Sequence, residues 1–111
     1  MNPKQQRIAI ATACGWTEHH MTHYPSIWKN PNTGQEVIND NYLPDYLNDL
    51  NAMHEAEKVL RKPMKSTDSD SIIADRMHDY AEALGYCIDA TAAQRAEAFL
   101  KTLNHTNTYN Q

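Results

Sequence analysis

The chain has 111 residues, of which 22% are charged, and a formal net charge of −4. This length fits one domain, and the mildly acidic balance lacks the basic face that binding to DNA or RNA requires. Two cysteines are too few for a disulfide framework, so Cys14 and Cys87 are expected to be small buried hydrophobes in a reducing cytoplasm. No segment approaches membrane-spanning length, and we expect no membrane partner.

The first predicted element is a short helix. Asn2 and Pro3 have the pattern of an N-cap and a first helical residue, and Gly15 has that of a C-terminal stop. The residues between them are apolar nearly all round. A helix of that kind is usually covered on several sides.

Residues 16–38 indicate two or three short antiparallel strands. Residues 30–34, with the sequence NPNTG, are a dense turn signal, and residues 36–38 can return as the next strand. Residues 39–42 then form a polar connection.

The longest helical pattern covers residues 43–60. Pro44 suits a first helical position, and Pro63 suits a stop after the end. One apolar stripe is predicted along this helix, formed by Tyr46, Leu50, Met53, Ala56 and Leu60.

Glu57 lies within that stripe. A buried, unpaired carboxylate would cost several kcal/mol, so Glu57 needs a partner or a function. A structural ion pair with Arg95 or Arg76, a surface pair with Arg61, and a working carboxylate are the alternatives.

Two further helices follow. Thr67 and Asp70 fit a capping pattern before a helix that ends at Gly85, with a face of Ile73, Met77, Tyr80 and Leu84. Residues 86–88 are short enough to be a strand. Thr91 and Gln94 form a capping box for the last helix, whose predicted core face is Ala92, Ala96, Phe99, Leu100 and Leu103.

The element order is therefore α-β-β-α-α-β-α, which is an α+β domain of layered α/β/α type with a small antiparallel sheet and about four helices. Residues 1–104 are expected to form one globular domain, and residues 105–111 a disordered tail.

Three strings in the chain resemble the phage ABA sandwich family of small bacteriophage and prophage proteins. They are CGW at 14–16, LPDYLNDLNAMHEAEKVL at 43–60 and ATAAQRAEAFLKTL at 90–103. The spacing of Trp28, Pro31 and Gly34 is similar to a hairpin of that family. The resemblance implies a layered α/β/α fold and a phage origin with expression inside a bacterium. It implies no reaction and no catalytic residues. The chain departs from the pattern in residues 17–24, residues 62–71 and the tail.

Histidines supply the first candidate chemistry. His19, His20 and His23 could suggest a metal, but on a strand His19 and His23 would be about 13 Å apart, too far to share one ion. A solvated strand face is favoured over a metal site or a pH sensor. His54 and Glu57, with Asp49 nearby on the same helix, could support acid–base work or simply flank the packing face.

Acidic and aromatic residues supply the candidate binding surfaces. Asp75, Asp79 and Glu82 line one side of the third helix, either as a solvated face or as a docking surface for a basic partner. Trp16 and Trp28 both lie near the predicted sheet, and we favour a core position for one of them.

No phosphate loop, catalytic serine motif or zinc motif is present, and no cofactor is predicted. The favoured function is a non-enzymatic accessory protein that binds a host protein. The alternatives are a small-ligand binder that sequesters a nucleotide signal in a polar and aromatic pocket, and a metal-dependent enzyme. A homo-oligomer remains open.

Overall fold

The computed structural model describes residues 2–21, 24–63 and 66–109, without the side chains of residues 20–26 and 105–109. It has the predicted α+β class, with a three-stranded antiparallel sheet and four α-helices. The elements in chain order are α1 (Pro3–Ala13), β1 (Thr17–Met21), β2 (Tyr24–Lys29), β3 (Glu36–Ile38), the 3-10 helix η1 (Asp40–Tyr42), α2 (Leu50–Glu57), the 3-10 helix η2 (Lys58–Arg61), α3 (Asp70–Ala83) and α4 (Ala92–Tyr109).

Helix α1 begins and ends as its sequence predicts. The Asn2 side chain accepts a bond from the Gln5 backbone N–H, and the Gln5 side chain accepts one from Asn2 in return. At the other end Gly15 has φ +98°, and the Trp16 backbone N–H donates to the carbonyl of Ala11 at 3.1 Å.

The sheet is a simple meander in the order β1-β2-β3. Residues 30–34 form the predicted turn, in which the Asn30 side chain accepts backbone N–H bonds from Asn32 and Thr33. Trp28 of the central strand is buried, and its indole N–H donates to Asp40 at 2.6 Å. This bond ties the sheet to η1.

The predicted helix over residues 43–60 is wrong in its first part. Residues 45–49 form turns, and α2 begins only at Leu50 and passes into η2 at Lys58. The Asp49 side chain caps α2 by accepting from the backbone N–H groups of Asn51 and Ala52. Short acidic and amide side chains satisfy backbone donors locally, and they thereby favour a helix start over a helix interior.

The predicted apolar stripe is correct except at Leu50. Tyr46, Met53, Ala56 and Leu60 are buried, whereas Leu50 is 42% exposed. Leu50 is the first residue of α2, so it lies at the end of the packed face and not within it.

Three predictions in the C-terminal half need correction. Ser69, and not Thr67, caps α3 by accepting from the Ile72 backbone N–H at 3.3 Å. Residues 86–88 form a turn and not a strand. Residues 105–109 continue α4 where a disordered tail is predicted, because extending a formed helix carries no nucleation cost. Residues 110–111 of that tail lie outside the described residues.

Helix α4 is the centre of the helical packing. Its capping box forms as predicted, with Thr91 and Gln94 bonded reciprocally at 2.9 and 3.2 Å. It packs against α1, α2 and α3, and the sheet meets the rest of the fold chiefly through η1. Phe99 of α4 is fully buried in the same core cluster as Ile10, Met53 and Tyr80.

No helix in the described part of the chain is both long enough and apolar enough to cross a membrane.

Candidate functional site

Glu57 has the structural partner that its position requires. Its two carboxylate oxygens accept bonds from Arg95 Nη1 at 3.1 and 3.3 Å. Arg95 also donates from Nε to the carbonyl of Ala90 and from Nη2 to that of Ile88. Of the predicted alternatives, the ion pair with Arg95 is confirmed, and it links α2 to the start of α4.

His54 and Tyr80 complete this group, and Asp49 does not. His54 Nδ1 lies 3.5 Å from Glu57 Oε1, with its ring largely open to solvent. Burial, and then the charge of Glu57, raises the pKa of Tyr80 above its usual value, so the phenol stays protonated at neutral pH. The Asp49 carboxylate caps α2, as described above. Glu57 is thus held between α2 and the start of α4, with His54 beside it at the surface.

A second buried ion pair, between Arg76 and Asp68, was not predicted from the sequence. Arg76 Nη2 donates to Asp68 Oδ2 at 2.6 Å, with both side chains almost wholly buried. Arg76 Nη1 also donates to the carbonyls of Leu60 and Lys62, which joins α3 to the end of η2. The sequence feature that could have indicated a buried partner for Arg76 was its position on the apolar face of α3, between Ile73 and Tyr80.

The acidic side of α3 remains a surface. Asp75 and Glu82 are exposed, and Asp79 is half-buried. Asp79 and Glu82 border a shallow depression together with Lys101 of α4. Asp75 does not border this depression, and Glu82 lies in the last turn of α3.

The two tryptophans differ in burial. Trp28 is a core residue, in agreement with the prediction for one of the pair, and Trp16 is half-buried against the core cluster. Tyr46 is buried and lies close to both Trp16 and Cys14.

The cysteines also differ, and the prediction that both are buried is wrong for Cys87. Cys87 is exposed in the turn after α3, whereas Cys14 is partly buried. Burial raises the pKa of the Cys14 thiol from 9.0 to about 11, against a smaller lowering by the bond from Tyr46. Cys14 is therefore protonated, and weakly nucleophilic, at neutral pH.

Of the three histidines considered for a metal site, only His19 is described with its side chain. His19 lies on β1, with its ring 3.4 Å from the Thr17 hydroxyl. The His20 side chain and all of His23 lie outside the described residues. Within the described residues, no three His, Cys, Asp or Glu side chains group closely enough to hold a metal ion.

The most exposed hydrophobic feature in the described residues is an apolar turn, which was predicted to be a strand. We call residues Tyr86, Cys87 and Ile88 the 86–88 turn. Ile88 is 88% exposed and Tyr86 is 65% exposed. Tyr86 also has φ +57°, the left-handed region that L residues other than glycine avoid.

A cleft of about 600 Å³ lies where α1 ends. Its walls are the turn at residues 13–16, the hairpin turn at residues 30–32, and the inner side of α2 and η2 with Tyr46. We call it the Trp16 cleft. The motif CGW, the NPN of the hairpin and the central helical segment thus meet at one place, which their spacing along the chain does not show.

The chain matches no known family model, and neither a curated protein nor a solved structure matches it. The resemblance to the phage ABA sandwich family therefore remains a prediction from the three sequence strings.

Proposed function

We propose that this chain is a non-enzymatic, phage-encoded accessory protein that acts by binding a bacterial host protein in the cytoplasm. The observation that carries the binding role is the exposed 86–88 turn. The phage origin and the bacterial setting rest on the sequence resemblance alone.

The conformation of Tyr86 supports a role outside the fold. A tyrosine in the left-handed region costs about 1 kcal/mol, and a ring that is 65% exposed recovers little of this by burial. Strained backbone of this kind is concentrated at functional sites. Ile88, two residues further on, is still more exposed and adds apolar area for a partner.

The turn is held in place before any partner arrives. Its backbone N–H groups donate to the last turn of α3, Tyr86 to Ala81 at 3.0 Å and Cys87 to Leu84 at 3.3 Å. Arg95, itself paired with Glu57, donates to the carbonyl of Ile88 at 3.2 Å. A rigid apolar turn loses little conformational entropy on binding.

The charge around the turn indicates the chemistry of the partner. Glu82 comes shortly before the turn and Asp89 directly after it, and both are exposed. Asp75 continues the acidic side along α3. We therefore propose a partner with an apolar pocket rimmed by lysine or arginine, since complementary charge steers association and limits wrong partners.

Affinity capture from bacterial lysate tests this with three matched baits: the unaltered chain, Tyr86→Gly/Ile88→Ser, and Tyr42→Ser. Tyr42 is 71% exposed on η1 and so serves as a control for loss of an exposed tyrosine. We expect one protein to be retained by the unaltered chain and by Tyr42→Ser, and lost with the double variant. Its retention should weaken as salt is raised.

Recovery of no protein, or of the same protein by all three baits, would overturn the proposal. Glycine is the residue best suited to the Tyr86 backbone conformation, so the double variant should stay folded. A melting curve of each bait checks this directly.

A further inference from the structure

The walls of the Trp16 cleft come from segments far apart in the chain, and a close contact holds them together. A side-chain carbon built on Gly15 would lie 3.2 Å from two ring carbons of Pro31. Glycine therefore both allows the φ of +98° and lets the hairpin turn pack against the end of α1. The cleft is a built feature of the fold.

The aromatic and amide groups of the cleft are already held in place. Tyr46 is buried and Trp16 is half-buried against the core cluster, so packing limits the motion of the indole. The Asn30 side chain is held by the hairpin backbone. A ligand would thus meet a preformed aromatic and amide surface, which favours affinity because little has to be ordered on binding.

The cleft is locally positive although the chain is acidic. Its charged lining residues are Lys58, Lys62 and Glu55, a net charge of +1, against −4 for the chain. Lys58 pairs with Glu55 at 2.8 Å, and both remain exposed at the rim. An anion at the rim would share the Lys58 ammonium with Glu55, and Lys62 supplies the excess positive charge of the lining.

We propose that the Trp16 cleft binds a small anionic molecule with one flat ring, such as a nucleoside monophosphate. Its ring would lie against the half-buried indole of Trp16, and its phosphate would contact Lys58 and Lys62. A volume of about 600 Å³ is in the range of small-molecule sites. This goes beyond the proposed partner binding, because Tyr86 and Ile88 are not among the lining residues.

The test measures melting temperature and tryptophan fluorescence of the full chain with AMP, GMP, CMP and UMP. The matching nucleoside supplies a ring without the charge, and ribose 5-phosphate supplies the charge without a base. We expect at least one of the four nucleotides to raise the melting temperature by about 5 °C near saturation. Its nucleoside and ribose 5-phosphate should each bind at least about tenfold more weakly than that nucleotide.

Two variants locate the site. Lys58→Gln/Lys62→Gln should weaken nucleotide binding about tenfold or more. Lys4→Gln/Lys101→Gln removes the same charge from two exposed lysines outside the cleft and should leave binding unchanged. Absence of binding by all four nucleotides would overturn the proposal. So would equal binding by the Lys58/Lys62 variant, or binding of the matching nucleoside as tight as that of the nucleotide that binds. None of these results bears on capture of a protein by the 86–88 turn.

Discussion

Helices α1 and α3 end in the same local way and yet differ in what covers the end. The first ends at Cys14-Gly15-Trp16 and the second at Gly85-Tyr86-Cys87. In both, the glycine has positive φ, and the aromatic residue after it donates its backbone N–H to a carbonyl five residues back, Ala11 or Ala81. This is the Schellman arrangement, which satisfies carbonyls that the helix leaves open.

The difference lies in tertiary contact. Pro31 packs on Gly15, and Trp16 is half-buried against the core cluster. Among the described residues, no atom other than those of its chain neighbours comes within 4 Å of a side-chain carbon built on Gly85, and Tyr86 faces solvent. A glycine and an aromatic residue thus determine how the chain turns, and the neighbouring segments determine whether the turn becomes core or surface.

The largest expected effect is at the two glycines. Gly15→Ala combines an unfavourable φ with a tight contact against the ring of Pro31, and it should cost about 2–3 kcal/mol of unfolding free energy. Gly85→Ala has the φ cost alone, about 1 kcal/mol. Urea denaturation of both variants measures the two losses. Equal losses would mean that Pro31 does not constrain Gly15.

Replacing the two aromatic residues by glycine should change the unfolding free energy in opposite directions. Tyr86→Gly relieves the left-handed strain and should raise the unfolding free energy by about 0.5–1 kcal/mol. Trp16→Gly removes a half-buried ring that packs on the core cluster, and should lower the unfolding free energy by about 2 kcal/mol. If Tyr86→Gly proved destabilising, the tyrosine would have a packing role, and the argument from its exposure would fail.

The smallest expected effect is on stability in alkali. The folded-state pKa of Cys14 is raised from 9.0 to about 11, so the folded chain holds this proton more tightly than the unfolded chain does. Its contribution is fully present below pH 9 and is lost as the pH rises toward about 11. Tyr46 and Tyr80, whose pKa values are also raised by burial, begin to lose their contributions above pH 10.0.

We therefore expect a shallower fall of melting temperature over this pH interval in Cys14→Ala than in the unaltered chain. Cys87→Ala is the matched control, because Cys87 is exposed, and its slope should not change. A Cys14→Ala slope that equals the control would show that the thiol is not effectively buried.

Local chemistry by itself determined much of this protein. The caps at Asn2 and Thr91 and the hairpin turn at residues 30–34 follow from side chains that bond to backbone within a few residues. The stop at Gly15 follows from the positive φ that glycine allows. The partner of Glu57 was among three predicted arginines because a buried carboxylate demands one.

Tertiary structure decided what short-range patterns leave open. Residues 43–60 have helical periodicity throughout, but α2 starts at Leu50, where the Asp49 carboxylate caps it and the preceding segment packs separately. The pair of Arg76 with Asp68 joins α3 to an irregular loop. The Trp16 cleft forms where three segments from distant parts of the chain meet. Periodicity reports which face of one element is apolar, whereas these features depend on how several elements pack together, and only the assembled fold specifies that.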